Sequence, residues 1–538
     1  MKFFHRTRWA SLAVCATGAT LVLSACSTGA PSASAGTSRL TIQATEPTTG
    51  FDPATAVTQA SLRLIELIYE PLIDYDKNGT LQPAIAEKWK RAADGLSYDF
   101  SIRPNAHFSD GSTITAEDVK YSVQRMAKGA ALKTALADLT GVTVTAPNTV
   151  RITLSKPSRV ILNALATTGS AAILSEKAVE SSPSYFTNPT ATSGPWTLTE
   201  MVPKDHASLT ANPHYWNKGF PKIKNITYSF GTDITAMAAA LESGTIDMTY
   251  NMKPADAVRL KKSNAIQYFV APSAGLVMWG MDKSKAPFDD VRVRQALAYM
   301  VPRKQAIDTC WSGVGGHAST GDLIYPGDPL YKAGEQRFGL SSTDALAKAS
   351  ALLDQAGWKT GSDGVRVAQG VKGAADGTKL AVNVPYENTW QQARCNTEML
   401  QQSLKPLGVQ ITPQAYDSAS FYGDVAKGKF EMYHAGNAYA TTDSYFSQSF
   451  TCNGSVTNLM AKWCNKDVDA LIARAQQEPD LAKAATLYRQ VQDIILDQQP
   501  MIVIGSQYAV IGTSPKLQGY YPRADVSNRG LIYASMGN

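Results

Sequence analysis

The sequence predicts an α/β protein. Strand-like alternation opens the part of the chain that follows a small-residue tether. Capped amphipathic helices recur through the second half, and the two kinds of segment are interspersed from end to end.

The chain begins with MKFFHRTRWASLAVCATGATLVLSACS, a basic start (Lys2, Arg6, Arg8) and an apolar run from Trp9 to Leu23, the layout of a secretory signal. The run is too short and too rich in threonine for a membrane span. It ends in Leu23-Ser24-Ala25-Cys26, which resembles the lipobox of bacterial lipoproteins. Cleavage there removes residues 1–25 and exposes Cys26 for acylation, and more than one acyl chain on one residue anchors durably. Residues 26–37, Cys26 followed by the small polar run STGAPSASAGT, read as a flexible tether. The protein is thus expected on the outer face of the cytoplasmic membrane, facing a periplasm where the cell has one.

The next segment, SRLTIQAT, alternates Leu40, Ile42 and Ala44 with polar residues, as a half-buried strand does. GVTVTAPNTVRITL (141–154) carries two alternating runs around a Pro-Asn turn and predicts a hairpin. DVRVRQALAYMV (290–301) sets Val293, Ala296, Leu297 and Met300 on one helical face, and DALAKASALLDQAGW (344–358) ends at Gly357, a C-cap position. WQQARCNTEMLQQSLKPLGVQI (390–411) reads as helix, Gly408, strand. DVDALIARAQQ (467–477) and DLAKAATLYRQVQDIILDQQ (480–499) are two further helices, and MIVIGSQYAVIG (501–512) is a β-type apolar run.

Charge and cysteines narrow the function classes. The net charge of +6 falls to about +3 once Lys2, Arg6 and Arg8 leave with the signal, too little to imply a nucleic-acid partner. Four cysteines beyond Cys26, namely Cys310, Cys395, Cys452 and Cys464, allow three pairings in an oxidising compartment. Cys452 and Cys464 close a short loop and are the bridge expected first; Cys310 with Cys395 follows only by elimination.

Several motifs invite a chemical reading and lose it. DYDKNG (74–79) matches the first half of a calcium loop through Asp74, Asp76 and Asn78, but the twelfth position, which needs a bidentate Glu, is Ile85; a hairpin turn explains the same residues. SGVGGH (312–317) fits no phosphate-cradling spacing and reads as a flexible loop. None of G-x-S-x-G, S-x-x-K, H-E-x-x-H or C-x-x-C occurs, so a secreted hydrolase is a rival without a signature, and no cofactor or metal site is implied. HFSDGSTITAEDVK (107–120) gathers His107, Asp110, Glu117 and Asp118, yet Asp110-Gly111 is a turn signal and Thr115 to Asp118 a capping-box pattern. A turn and a capped helix account for every acid in it.

That same region carries a resemblance. DGLSYDFSIRPNAHFSDGSTITAEDVKYSVQRM (94–126) resembles the signature region of family 5 extracellular solute-binding proteins, the peptide- and nickel-type receptors of ABC importers. Matching segments follow in order: LIYEPLIDYDKNGTLQPAIAEKW (67–89), TSGPWTLTE with ANPHYWNKG, ALESGTIDM, APFDDVRVRQALAYMV, LLDQAGW with a following DG, and EMLQQSLKPLGVQI. The resemblance implies a class II periplasmic-binding-protein fold with two hinged lobes. Residues 38–70, 190–278 and 500–538 would form lobe I, 71–189 an extra subdomain of it, and 279–499 lobe II. It further implies a monomer with no catalysis of its own that closes on an oligopeptide or similar polar solute and delivers it to permease subunits.

The ligand is where the chain departs from its better-known relatives. SFTCNGSVTNLMAKWC (449–464) looks like the disulfide loop of dipeptide receptors, which places the preceding HAGNAYATTDSYF (434–446) at the ligand. In peptide receptors an aspartate of that segment holds the ammonium group; here the position falls on Ala438 or Ala440, and nearby Asp443 reads as a turn cap. The arginine that would hold a dipeptide carboxylate is missing from NVPYENTW (383–390), which offers Glu387 instead. By the same resemblance the ligand residues are Glu46, Trp279, Tyr386, Glu387, Trp390, Asn437, Tyr439 and Asp443, with Tyr445 a further aromatic. Rings and acids of this kind also suit a carbohydrate or an amine-bearing natural product. The absence of a histidine cluster from these segments argues against nickel.

Overall fold

The computed structural model describes residues 38–538 apart from 48, 49, 57, 134, 168, 251, 273, 389, 438, 440, 455–461, 524, 525 and 538. The signal, Cys26 and the tether lie outside the described residues, as do Ala438 and Ala440.

The spine is the strand Met501–Thr513, an apolar run buried at both ends and half-exposed at Gln507, Tyr508 and Ala509. Continuous hydrophobicity suits a strand covered on both faces, and the exposed middle marks where it passes from one core to another. Its first part pairs antiparallel with Val277–Met281 and Gly316–Ala318, its last part with Gln267–Pro272 and Met248–Thr249. Beyond Met248–Thr249 the sheet continues through Arg39–Ala44, Asn225–Phe230, His206–Ala211 and Trp196–Val202; beyond Val277–Met281 it ends on Met432–Gly436. Arg39–Ala44 buries Leu40, Ile42 and Ala44 as the alternation predicts, and runs parallel to Asn225–Phe230.

Three of the apolar centres set the architecture. Leu40, Ile42, Tyr228 and Ile511 belong to one, and Trp279, Leu297, Leu400 and Ile504 to another. The third fills a separate four-stranded antiparallel sheet, Ala86–Arg91, Ser97–Ile102, Thr149–Leu154 and Leu139–Ala146, against the helix Ala116–Lys128. The Thr149–Leu154 and Leu139–Ala146 pair is the predicted hairpin.

Local sequence signals are met closely. Thr115 Oγ1 accepts from the Asp118 amide at 3.2 Å while Asp118 Oδ2 accepts from the Thr115 amide at 2.9 Å, a reciprocal capping box. His107 spends its Nδ1 on the Asn105 carbonyl at 3.1 Å. The predicted helices appear as Val291–Met300, Ser342–Gln355, Gln391–Leu404, Lys466–Gln477 and Leu481–Gln498. Gly357 and Gly408 adopt φ of 88° and 78°, the left-handed region that lets each helix end there.

Two readings change. SGVGGH is not only a loop, because Gly316 and His317 begin a strand on the spine. A side chain at Gly505 would lie 2.1 Å from the His317 carbonyl oxygen, so the pairing depends on glycine there. In DYDKNG the hairpin turn is closed by Asp76 Oδ1, which accepts from the Asn78 and Thr80 amides, both at 2.8 Å. Asp74 instead turns inward to Arg523 at 2.7 Å and Arg529 at 3.1 Å, and Arg529 also meets Glu70 at 2.8 Å. This buried cluster ties the C-terminal segment to the start of the four-stranded body.

Both disulfides form: Cys310 with Cys395 and Cys452 with Cys464. The first joins the end of helix Arg303–Cys310 to helix Gln391–Leu404. No helix among the described residues is long and apolar enough to cross a membrane.

Candidate functional site

The spine changes partners between Gly505 and Tyr508, and the backbone there is irregular: a β-bulge interrupts the pairing at Val277 and Met278. Bulges recur beside functional sites because they re-aim side chains and end pairing. Onto this crossing folds the segment after strand Met432–Gly436. The Asn437 amide donates to the Leu276 carbonyl at 3.1 Å, Asn437 Oδ1 accepts from the Leu276 amide at 3.1 Å, and the Tyr439 amide donates to the Ala274 carbonyl at 2.8 Å. Asn437 Nδ2 also reaches Ser449 Oγ at 3.2 Å. One asparagine thus closes a two-way exchange with the crossing chain, and Tyr439 is left half-buried beside it with its ring 6.0 Å from Tyr445.

Other predicted residues stand at the carboxyl ends of parallel strands, the edge where open α/β sheets receive ligands. Glu46 follows Arg39–Ala44, and its Oε1 accepts from the Lys204 amide at 2.9 Å. Tyr386 and Glu387 end the strand Ala381–Glu387, which runs parallel to Gln410–Tyr416; both are buried, at 8% and 7% exposure. Trp390 follows, half-buried, at the start of helix Gln391–Leu404. Tyr422 is 55% exposed; partial loss of water around its hydroxyl, and then the Glu387 charge, raise its pKa. Nothing in the sequence singles Tyr422 out beyond its place beside Phe421 in the short helix SASFYGDVA (418–426).

Trp279 and Tyr445 are placed differently from expectation. Each is 1% exposed and packs in a core, Trp279 with Leu297 and Ile504, Tyr445 with Phe446 and Phe450. Asp443 is no turn cap, since Thr441 Oγ1 caps the helix Thr442–Phe450. Its carboxylate is buried and bonded to Arg159, Asn163 and Tyr488. A strand or helix period cannot foretell a partner 284 residues away.

His434, in the middle of strand Met432–Gly436, is a residue the sequence reading passes over. Its ring lies 6.0 Å from Trp279 and 4.8 Å from Trp390, edge-on to both. Asn396 Nδ2 donates to its Nε2 at 3.1 Å while Asn396 Oδ1 accepts from Trp311 Nε1 at 3.2 Å, so the proton of the neutral ring sits on Nδ1. Burial lowers its pKa to about 3. Gly436 makes room for this stack, since a side chain there would meet Trp390 at 2.4 Å. The only sequence signal was a histidine inside the apolar run MYHAG.

Among the described residues, no group of three or more His, Cys, Asp or Glu side chains could hold a metal ion. An open groove of about 390 Å³ on the polar face of strands Arg39–Ala44 and Asn225–Phe230, lined by Thr41, Gln43 and His206 among others, contains none of the predicted ligand residues.

The profile of the family described as bacterial extracellular solute-binding proteins, family 5 Middle, matches residues 80–457. Heme-binding protein A of Haemophilus influenzae is 26% identical over 511 residues, 88% of this chain and 87% of that protein. The glutathione-binding protein GsiB of Salmonella typhimurium is 25% identical over 489 residues, 89% of this chain and 90% of its own length. Among solved structures, NikA of Brucella suis in complex with Fe(III)-EDTA superposes with a TM-score of 0.80 at 22% identity, covering 93% of this chain and 100% of its own.

Proposed function

The chain belongs to the family 5 bacterial extracellular solute-binding proteins of ABC importers, and from that premise we propose that it is a lipid-anchored receptor that captures an oligopeptide or similar polar solute for a permease. The observation that carries the ligand reading is the segment Asn437 to Tyr439, hydrogen-bonded along Ala274 to Leu276 where the spine changes partners. Peptides are held through main-chain hydrogen bonds with side chains lodged in pockets, and we place such a ligand beside this strand crossing. The glutathione-binding relative supports a peptide ligand by its name. With Asp443 engaged by Arg159, an ammonium clamp of the dipeptide kind has no support at that residue, which favours longer or differently charged solutes.

An amine-bearing solute is the second reading, favoured by the exposed ring of Tyr422, whose hydroxyl feels the Glu387 charge. In either case we assign Glu46, Tyr386, Glu387, Trp390, Asn437 and Tyr439 to the neighbourhood of the solute. The two lobes are taken as 38–70 with 190–278 and 500–538, and 279–499, with 71–189 as the extra subdomain, the protein working as a monomer.

Native mass spectrometry of solute carried through purification tests the reading, together with a thermal-shift screen of peptides, glutathione, haem, sugars and amines. A true ligand at a hundred times its Kd adds about 2.7 kcal/mol to native stability. Failure of every class to raise the melting temperature, or release of product from a peptide or glycan library, would overturn it. For the anchor, Cys26→Ala should move the protein from the membrane to the soluble fraction, and retention in the membrane would contradict acylation.

A further inference from the structure

The helix behind the Asn437 to Tyr439 segment is held from an unexpected side. Arg159, at the start of helix Val160–Leu165 in the four-stranded body, meets Asp443 with two parallel bonds, Nη1 to Oδ2 at 2.9 Å and Nη2 to Oδ1 at 2.7 Å. Asn163 Nδ2 donates to Oδ2 at 3.0 Å and the Tyr488 hydroxyl donates to Oδ1 at 2.6 Å. A carboxylate offers about four acceptor positions. All are taken here, most of them by donors from the four-stranded body.

The rest of Arg159 grips the carboxyl end of helix Lys466–Gln477, where free carbonyls carry partial negative charge. Its Nε donates to Glu478 O at 3.2 Å, its Nη2 to Ala475 O at 3.3 Å, and its own backbone amide to Gln476 O at 2.9 Å. The pair is well shielded, with side-chain exposures of 11% for Arg159 and 1% for Asp443.

This contact is polar and separable. The apolar centre of the four-stranded body shares Ala178 and Trp216 as flanking residues with the centre around Leu40, but none with the centre around Tyr488. Two bodies joined by hydrogen bonds and an ion pair, without a shared core, move apart more readily than two joined by hydrophobic packing. Separation has a defined cost. Arg159 would return to water, whereas Asp443 would keep Tyr488 and stay near Asp328, whose Oδ2 accepts from Thr442 at 2.6 Å. A buried carboxylate that loses its guanidinium is strongly disfavoured.

We propose that Arg159 and Asn163 form a latch that docks the four-stranded body onto Asp443, positioning the neighbouring ligand segment, and that its release is a step in opening the protein around its solute. The positioning role rests on the solute-binding reading above; the latch itself does not.

The test is hydrogen exchange read by mass spectrometry on the purified full chain with no solute added. The Arg159 amide donates across the contact, so its exchange reports undocking directly. Arg159→Gln removes the guanidinium and keeps the amide, and Asn163→Ala removes the second donor. Each is expected to speed exchange at residue 159, on the order of a hundredfold for R159Q and tenfold for N163A. Peptides from the core strand Val277–Met281 should keep their wild-type rates. Wild-type exchange at residue 159 in both variants would overturn the latch. So would equal acceleration of residue 159 and the core strand, which would make the pair part of global stability. Because no solute enters the measurement, its outcome is independent of the thermal-shift screen that tests the binding reading.

Discussion

His434 gives the molecule a specific acid weakness. In the fold the ring is neutral and buried between Trp279 and Trp390, its pKa lowered to about 3; unfolded, it titrates near the ordinary value of about 6.5. The folded value is the lower, so between these pH values the unfolded chain binds more protons, and stability present above about 6.5 is lost as pH falls toward 3. At pH 5 the native ring is still neutral, so the loss spans about 1.5 pH units at about 1.36 kcal/mol each, roughly 2 kcal/mol from this one side chain. The side chain is 1% exposed, so solvent screening takes little from that figure. The perturbation is His434→Gln, which stays neutral and still offers an acceptor to Asn396. Urea denaturation of both proteins at pH 7 and pH 5 removes every shared titration by subtraction. The wild type should lose about 2 kcal/mol more than the variant over that interval. Parallel losses would refute the burial argument.

Asp328 should act in the opposite sense. Burial, and then the Asp443 charge, raise its pKa, so the stability it lends at low pH fades as pH rises from the ordinary carboxylate value through the raised one. Asp328→Asn should therefore melt higher relative to wild type at pH 7 than at pH 4, and an unchanged difference between the two pH values would count against it. The two disulfides differ in the loop they close, 85 residues against 12. The chain-entropy estimate is about 4.5 kcal/mol for the first and about 3 for the second, so the Cys310/Cys395 double serine variant should unfold at lower urea than the Cys452/Cys464 one. Asn437→Ala leaves the Leu276 amide without its acceptor and should cost about 1–3 kcal/mol in the same assay. In a solute-binding assay it should also weaken affinity; tight binding by a destabilised N437A protein would separate the residue from the site.

Much of the candidate site was legible only as a stretch of chain. The segment 434–446 was located through its neighbours, and within it Asn437 bonds to Leu276 and Tyr439 to Ala274, just ahead of the strand Val277–Met281 that pairs with the spine. What each side chain does there was not readable. Asn437 binds backbone, Asp443 binds Arg159, and Trp279 lies in a core, because each outcome depends on what another part of the chain brings alongside. Arg159 stood in the sequence only as a charge ahead of the apolar run VILNAL. His434 looked like one polar residue in a strand.

The sequence by itself determined the features whose causes lie within a few residues. Leu40, Ile42 and Ala44 face one side because a strand alternates, Thr115 and Asp118 cap a helix because their backbone donors need partners, and Gly357 and Gly408 end helices because they tolerate positive φ. Tertiary structure alone decided that Asp74 meets Arg523 across 449 positions and Asp443 meets Arg159 across 284. It also decided that one strand, Met501–Thr513, serves four apolar clusters, through Ile511, Ile504, Val503 and Val510. The reason is physical: periodicity and capping act through the covalent neighbourhood, whereas charge pairing and burial depend on which distant segments the topology makes adjacent.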